Sequence, residues 1–253
     1  MNTYIPKYIK AKSRGLLSKK IKQFTAIMTS CTLCPRQCKV NRTKEEKGYC
    51  STGKKAFVSS FSAHFGEEHQ LVGDKGSGTI FFSNCNLKCI FCQNYDISVN
   101  GTGQEVEDES IASIMLYLQK IGCHNINLVT PSHVVPQILK ALDIAVDYGL
   151  NIPLVYNCSG YESIDTLRIL KNIIDIYMPD FKFWEPNISK IYCHARDYPQ
   201  ITRKAVKEMY DQVGDLKVNR AGLACSGLIV RHLVMPGNLD GTYHILKFLK
   251  EKI

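Results

Sequence analysis

Hydrophobic and polar positions alternate between two periods along residues 79–253. Short β-prone runs typical of buried strands are separated by stretches in which apolar residues recur every three or four positions, as on one helix face. The predicted strands are Thr79–Ser83, Asn125–Thr130, Ile152–Asn157, Ile173–Asp180 and Leu228–Val234. The predicted helices are one with Ile111, Ile114, Met115 and Leu118 on its buried face and Gly122 after its end, then Val134–Val146, Ile164–Leu170, Arg203–Val213 and Thr242–Lys250. Five strand–helix units favour an α/β fold with a parallel sheet, either doubly wound or part of a (β/α) barrel.

The N-terminal segment has a different pattern. Leu17, Ile21, Phe24, Ile27 and Met28 recur at helical spacing and predict an amphipathic helix that leads into the first cysteines. Residues 1–44 carry eleven Lys or Arg and no Asp or Glu, whereas the whole chain has 32 basic and 23 acidic residues, a net charge of +9. This basic start fits a solvated helix, an organelle-targeting segment or a nucleic-acid-binding arm.

Composition narrows the class of protein. The chain has 253 residues, of which 45% are apolar and 22% charged, as in ordinary globular proteins. No apolar run approaches the roughly 18 residues of a membrane span, and the start lacks the apolar core of a secretory signal. We therefore expect a cytoplasmic location, where eleven cysteines indicate metal or redox chemistry rather than a disulfide framework.

A cysteine triplet follows the first predicted strand of the βα series. Cys85, Cys89 and Cys92 have the spacing CxxxCxxC, so one tight loop would direct three thiolates at a common centre. Functional loops of α/β folds follow the carboxyl ends of the strands. A zinc site or an ordinary iron–sulfur cluster takes four ligands, and residues 93–96 supply no fourth sulfur. Three ligands on a four-iron cube would leave one iron open to an external molecule.

A second cysteine set lies upstream of the βα series. Its members are Cys31, Cys34, Cys38 and Cys50. Four thiols within twenty residues can enclose one metal, either zinc or an auxiliary iron–sulfur cluster. The sequence leaves this choice open.

At this point the chain resembles a known family. CxxxCxxC with the aromatic Phe91 before the third cysteine, after the first strand of a βα series, is similar to the radical SAM superfamily. The continuation Phe91-Cys92-Gln93-Asn94 resembles activating enzymes of glycyl radical enzymes. Longer segments resemble the PflX-type proteins, homologues of pyruvate formate-lyase-activating enzyme. These segments are CTLCPRQCKVNR (31–42), HFGEE (64–68), GSGTIFFSNCNLKCIFCQNY (76–95), NINLVTPSH (125–133), PLVYNCSGYE (153–162), DIYMPDFK (175–182) and GLIVRHLVMPG (227–237).

The resemblance implies a fold and a chemistry. The fold would be a partial (β/α) barrel of five to six parallel strands, with a Cys-rich N-terminal appendage (residues 1–56) before a core domain (57–253) that is short at its C-terminus. Cys85, Cys89 and Cys92 would hold a 4Fe–4S cluster whose free iron binds the amine and carboxylate of S-adenosylmethionine. An electron from a donor such as flavodoxin or ferredoxin would cleave that molecule, giving a 5′-deoxyadenosyl radical for hydrogen abstraction.

Further residues carry over from the family one by one. The resemblance implies cofactor contacts from Phe91, Asn157, Gly160, Asp180, Lys182 and Arg231. One element is absent, because the family's Gly-Gly-Glu after the second strand is replaced here by residues 129–133, Val-Thr-Pro-Ser-His. Thr130, Ser132 or backbone carbonyls would then hold the methionyl amine.

Three functions remain open at this stage. The first is a radical SAM enzyme that acts on a protein or a small molecule, as glycyl radical activases do. The second is a radical SAM enzyme that modifies RNA, which the basic N-terminal segment supports through phosphate attraction. The third is a non-catalytic module that uses both cysteine sets to bind metal.

Overall fold

A single mixed sheet organises the fold of the computed structural model, which describes residues 4–253; the first three residues of the predicted appendage lie outside the described residues. The strands are β1 (Ala56–His64), β2 (Ser77–Phe82), β3 (Gln104–Val106), β4 (Ile126–Val129), β5 (Leu154–Cys158), β6 (Ile176–Pro179), β7 (Lys217–Val218) and β8 (Ala224–Leu228). Their order in the sheet is β3-β1-β2-β4-β5-β6-β8-β7.

Five neighbouring strands of the sheet are parallel, namely β2, β4, β5, β6 and β8. This confirms the predicted parallel α/β core with helical crossovers. The edges differ from the prediction, because β1, β3 and β7 pair antiparallel and had no counterpart among the predicted strands. The sheet therefore has eight strands and fits a radical SAM partial barrel.

Ten helices accompany the strands within residues 4–253. They are α1 (Lys7–Ser13), α2 (Leu16–Ile27), α3 (His69–Val72), α4 (Tyr95–Ser98), α5 (Asp108–Lys120), α6 (Val135–Asp147), α7 (Ile164–Leu170), α8 (Pro186–Cys193), α9 (Tyr198–Val213) and α10 (Thr242–Lys252). Helices α5, α6, α7, α9 and α10 fall where the hydrophobic period predicts them. Within the same residues, no helix combines the length and apolar character needed to cross a bilayer.

The last predicted strand is out of place. The sequence places it at Leu228–Val234, but β8 begins at Ala224 and ends at Leu228. The residues of β8 are small enough to be buried, while Leu233 and Val234 are exposed. High hydropathy in this stretch therefore does not mark a buried strand. Arg231 still forms a parallel bridge with Asp180, which extends the pairing between β6 and β8.

The basic N-terminal segment packs against the helical layer. Helix α2 buries Leu17 and Phe24 in the main core, as the apolar period predicts. Lys12 of α1 forms ion pairs with Asp143 (3.1 Å, Nζ to Oδ1) and Asp147 (2.7 Å, Nζ to Oδ2) of α6. Part of the N-terminal positive charge is thus compensated within the fold.

Candidate active site

The loop after β2 brings the cysteine triplet to the edge of the sheet. Cys85 and Cys89 are buried and Cys92 is partly exposed, and all three border one cleft of about 570 Å³. Residues from the ends of β4, β5 and β6 also line this cleft. Its volume lies in the range of small-molecule and cofactor sites.

Hydrogen-bond donors are directed at two of the three sulfurs. The backbone N–H of Leu87 donates to Cys85 Sγ (3.3 Å), and the Ser98 hydroxyl donates to Cys92 Sγ (3.2 Å). Burial raises the pKa of Cys85 to about 11, so this thiol ionises only when a metal or another positive charge stabilises the thiolate. The environment suits a metal ligand better than a free nucleophile.

Two further cysteines lie near the triplet. Cys193 of α8 is fully buried, with its Sγ 3.2 Å from Cys89 Sγ, and it does not line the cleft. Cys158 borders the cleft and is buried, as is Glu162 four residues further along the chain. Its position on a strand-end loop predicts that Cys158 reaches the site, whereas the sequence gives no such indication for Cys193.

The described residues fit the group that the triplet's chemistry requires. Within residues 4–253, no three His, Cys, Asp or Glu side chains already have the geometry to hold a single metal ion. A cubane cluster makes a different demand, because each thiolate binds a different iron and the sulfurs stand further apart than around one ion. The triplet supplies the donor type for such a cluster, three disulfide-free cysteines that border one cleft.

Opposite charges form a connected network across the cleft. The Arg231 guanidinium donates from Nε to Asp180 Oδ1 (2.9 Å), from Nη1 to Glu67 Oε2 (3.2 Å) and from Nη2 to Asn157 Oδ1 (2.7 Å). Lys182 Nζ lies 2.5 Å from Asp180 Oδ2. Two carboxylates and two cations therefore balance each other at the carboxyl ends of β5, β6 and β8.

The network keeps its groups ionised despite their burial. Desolvation alone would raise the pKa of Asp180, but the charges of Lys182 and Arg231 outweigh it and hold this pKa below its usual range. Desolvation also acts on Lys182, where attraction to Asp180 and Cys89 raises the pKa above its usual range. The cleft thus presents fixed charges of both signs beside the cysteine loop.

Five of the six residues expected to contact cofactor line this cleft. These are Phe91, Asn157, Asp180, Lys182 and Arg231. Phe91 packs edge-on against Phe183, with ring centroids 5.7 Å apart. Gly160 lies behind the lining, since a Cβ there would stand 2.6 Å from the Asp180 carbonyl oxygen, and its φ of +77° also favours glycine. The roles of these six residues stay predictions.

Residues 129–133, which replace Gly-Gly-Glu, include one side chain that faces the cleft and one that faces the protein interior. Thr130 lines the cleft, with a φ of +59°. Ser132 does not, because its buried hydroxyl hydrogen-bonds Glu162. Of the alternatives for the methionyl amine, Thr130 faces the cleft and Ser132 does not; which group holds the amine stays a prediction.

Glu67 is a cleft residue that the sequence analysis missed. Its carboxylate accepts hydrogen bonds from Asn127 Nδ2 (3.1 Å) and Asn157 Nδ2 (3.3 Å), besides its ion pair with Arg231. It follows β1, which ends with His64 opposite Ser77 at the start of β2, and the loop after β1 then folds over the sheet to reach Asn127 and Asn157. Its place in the matching segment HFGEE (64–68) is the signal that could have found it.

Comparison with known proteins agrees with this architecture. The family model described as "Radical SAM superfamily" matches residues 79–249, more than half of the chain. An uncharacterized protein of Methanocaldococcus jannaschii, MJ0674, is 31% identical over 246 residues, covering 94% of this chain and 67% of the relative. Membership of the family implies a 4Fe–4S cluster and S-adenosylmethionine. The chain belongs to the radical SAM superfamily.

Proposed function

We propose that the protein reductively cleaves S-adenosylmethionine and uses the 5′-deoxyadenosyl radical to abstract hydrogen from a substrate. One observation carries this proposal: the three thiols of the CxxxCxxC loop border the same cleft as a balanced network of buried charges. When bound, the cluster supplies the electron for the cleavage.

Each part of the cleft has a role in this proposal. Cys85, Cys89 and Cys92 would hold the cluster at three corners. Arg231 and Lys182 would attract the carboxylate of S-adenosylmethionine. The Asp180 carboxylate would attract the positive charges of the same ligand. Every one of these groups is fixed by neighbours before the ligand arrives, so little reorganisation opposes binding.

Aromatic packing would orient the nucleoside. Phe91 lines the cleft and is held by Phe183 and Tyr192, with centroid distances of 5.7 and 6.4 Å. An adenine ring could stack against this preformed aromatic surface at low entropic cost. The same surface would restrict water near the reacting atoms.

An activase-like role, as in PflX-type proteins, is the finer part of the proposal. It is supported by the matching segments and by exposed apolar side chains next to cleft positions, Phe65, Ile90, Leu233 and Val234. Such a rim suits a protein substrate better than the phosphates of RNA. The alternative RNA-modifying role would require binding that weakens steeply with salt.

The test is anaerobic reconstitution with iron and sulfide, followed by reduction in the presence of S-adenosylmethionine. We expect 5′-deoxyadenosine from the wild type and from Cys123→Ala, a buried cysteine outside the cleft. Cys89→Ala should form none, because the cluster loses a ligand. 5′-Deoxyadenosine formation retained in Cys89→Ala would remove the triplet from the mechanism. Zinc binding by the wild type without iron binding would instead favour the non-catalytic module.

A further inference from the structure

A second cavity lies among the upstream cysteines, outside the cleft. Four thiols from a segment with almost no regular structure line this one small cavity. Its lining comprises Cys31, Leu33, Cys34, Gln37, Cys38, Val40, Arg42, Gly48, Cys50 and His133. All four cysteines are free of disulfides. The fold therefore converges four thiols that the sequence spreads over twenty residues.

The backbone around these thiols supplies a directed donor. The Tyr49 N–H donates to Cys38 Sγ (3.3 Å). The chain also approaches Cys38 closely, since a Cβ added to Gly48 would stand 2.7 Å from Cys38 Sγ. Backbone N–H groups aimed at sulfur favour thiolates over neutral thiols.

Arg42 gives the cavity an uncompensated positive charge. The side chain is 1% exposed, and within residues 4–253 the hydrogen bonds of its guanidinium go to carbonyl oxygens and to no carboxylate. Its Nε donates to the Gly53 carbonyl (3.0 Å) and its Nη1 to the His133 carbonyl (2.7 Å), while Nη2 has no hydrogen-bond partner among the described residues. A buried charge without a counter-charge costs several kcal/mol, so the fold calls for a negative group here.

His133 gives the cavity a free lone pair. The buried imidazole places Nε2 2.8 Å from the Ser83 carbonyl oxygen, and that contact requires the proton to sit on Nε2. Nδ1 is then an acceptor, and it has no partner among the described residues. Metal-binding histidines are oriented in this way, with one ring nitrogen on a carbonyl and the other on the metal.

We infer that this cavity binds a second metal centre, rich in thiolate ligands and net negative in charge. As they stand, no three of its candidate ligands have the geometry to hold a single ion, so the segment from Cys31 to Cys50 must close around the metal on binding. Zinc or a 4Fe–4S cluster with four thiolates carries −2, and zinc with three thiolates and His133 carries −1. Either charge satisfies the Arg42 guanidinium. Metal binding releases the thiol protons to solvent, so no oxidant or reductant is needed. The inference is independent of the chemistry proposed for the cleft.

The experiment removes the cleft thiols first. Cys85→Ala, Cys89→Ala and Cys92→Ala are combined in one chain, which is stripped with a chelator and reloaded under anaerobic conditions with zinc alone or with iron and sulfide. We expect stoichiometric retention of one of these metals after gel filtration, and metal analysis with absorption spectra then tells zinc from a cluster. Adding Cys34→Ala and Cys50→Ala should abolish retention, whereas adding Cys225→Ala, a buried cysteine outside the cavity, should not.

Arg42→Met on the same background tests the charge argument separately. Loss of this neighbouring cation should speed release of the metal to a chelator by about tenfold, and Arg42→Lys should restore part of the retention. Circular dichroism verifies that each variant is folded. A folded triple-Ala chain that retains neither zinc nor iron would overturn the inference, as would retention unaffected by Cys34→Ala with Cys50→Ala.

Discussion

The two cysteine regions use the same ligand type in opposite settings. The loop from Cys85 to Cys92 borders a cleft of about 570 Å³ beside charges of both signs. The segment from Cys31 to Cys50 surrounds a small cavity with one unpaired cation. Metal sites that perform catalysis keep an open position, whereas structural sites are closed by protein ligands. The contrast fits the two proposals, binding of an external molecule at the first region and stabilisation of the fold at the second.

The two regions are also in direct contact. Arg36 donates from Nε to the Asn86 carbonyl (2.9 Å), and the Tyr49 hydroxyl donates to the Leu87 carbonyl (3.0 Å). Asn86 and Leu87 lie between the first and second cysteines of the triplet. The guanidinium of Arg36 further packs over the Tyr49 ring, 3.9 Å from its centroid. A metal that fixes the upstream segment would thereby hold the catalytic loop in place.

The largest expected effect is on the free energy of unfolding and comes from Glu162. This buried carboxyl accepts hydrogen bonds from Tyr156 (3.0 Å) and Ser132. Burial raises its pKa from 4.5 to about 7, and these hydrogen bonds oppose the shift only in part. Because the pKa is higher in the folded state, the stabilisation is complete below about pH 4.5 and is lost as pH rises through 7. The free energy of unfolding of Glu162→Gln, measured relative to that of the wild type, should therefore rise by about 3 kcal/mol between pH 4.5 and 8.

The measurement for Glu162 is the difference in free energy of unfolding between wild type and Glu162→Gln across this pH range. Asp180→Asn is the matched control, because Lys182 and Arg231 lower the pKa of that buried carboxyl against the effect of desolvation. The Asp180 difference should stay flat above pH 5. A Glu162 difference that does not change with pH would show that burial does not raise the pKa of this carboxyl.

Arg231→Met should weaken S-adenosylmethionine binding by tenfold or more. The substitution removes the guanidinium that would attract the carboxylate of S-adenosylmethionine, and it leaves Asp180 and Glu67 without their shared cation. Losing one partner of a desolvated charge pair costs about 2 kcal/mol or more of binding free energy. Equilibrium dialysis of the unreduced, reconstituted protein measures the affinity. Arg168→Met, at an exposed ion pair, should leave the affinity unchanged. Equal affinities of wild type and Arg231→Met for S-adenosylmethionine would show that the charge network does not contribute to cofactor binding.

Tyr49→Phe should have a smaller effect, on the contact between the two regions. It removes one hydrogen bond to the Leu87 carbonyl, worth about 1 kcal/mol. The cluster proposed at Cys85, Cys89 and Cys92 should then lose its iron to a chelator about fivefold faster than in the wild type. Tyr148→Phe, on an exposed side chain, is the control. Unchanged iron loss in Tyr49→Phe would mean that the upstream segment does not support the loop.

Local patterns predicted much of this architecture. The hydrophobic period located four of the five parallel strands and misplaced the fifth, and the spacing of the cysteines, with their place after a strand, located the triplet. The prediction that Arg231 lies at the site holds although the predicted strand begins four residues after the start of β8. The reason is that the pairing with β6 continues beyond β8, where Arg231 bridges to Asp180.

Features that depend on distant contacts escaped the sequence. Cys193 is 104 residues from Cys89 along the chain, and no local pattern joins them. The isolation of Arg42 is likewise a property of the folded interior, since every lysine and arginine in the sequence looks equally solvated. The place of Glu67 likewise depends on its contacts with Asn157, 90 residues away, and Arg231, 164 residues away.

The most direct test of the account concerns access to the cluster at the triplet. Electron paramagnetic resonance of the reduced, reconstituted protein is recorded with and without S-adenosylmethionine, for wild type and for Cys193→Ala. A cluster held by Cys85, Cys89 and Cys92 alone predicts a spectrum that changes on adding S-adenosylmethionine, with the same iron content and the same change in both proteins. A spectrum insensitive to S-adenosylmethionine in wild type, or a cluster lost in Cys193→Ala, would contradict it.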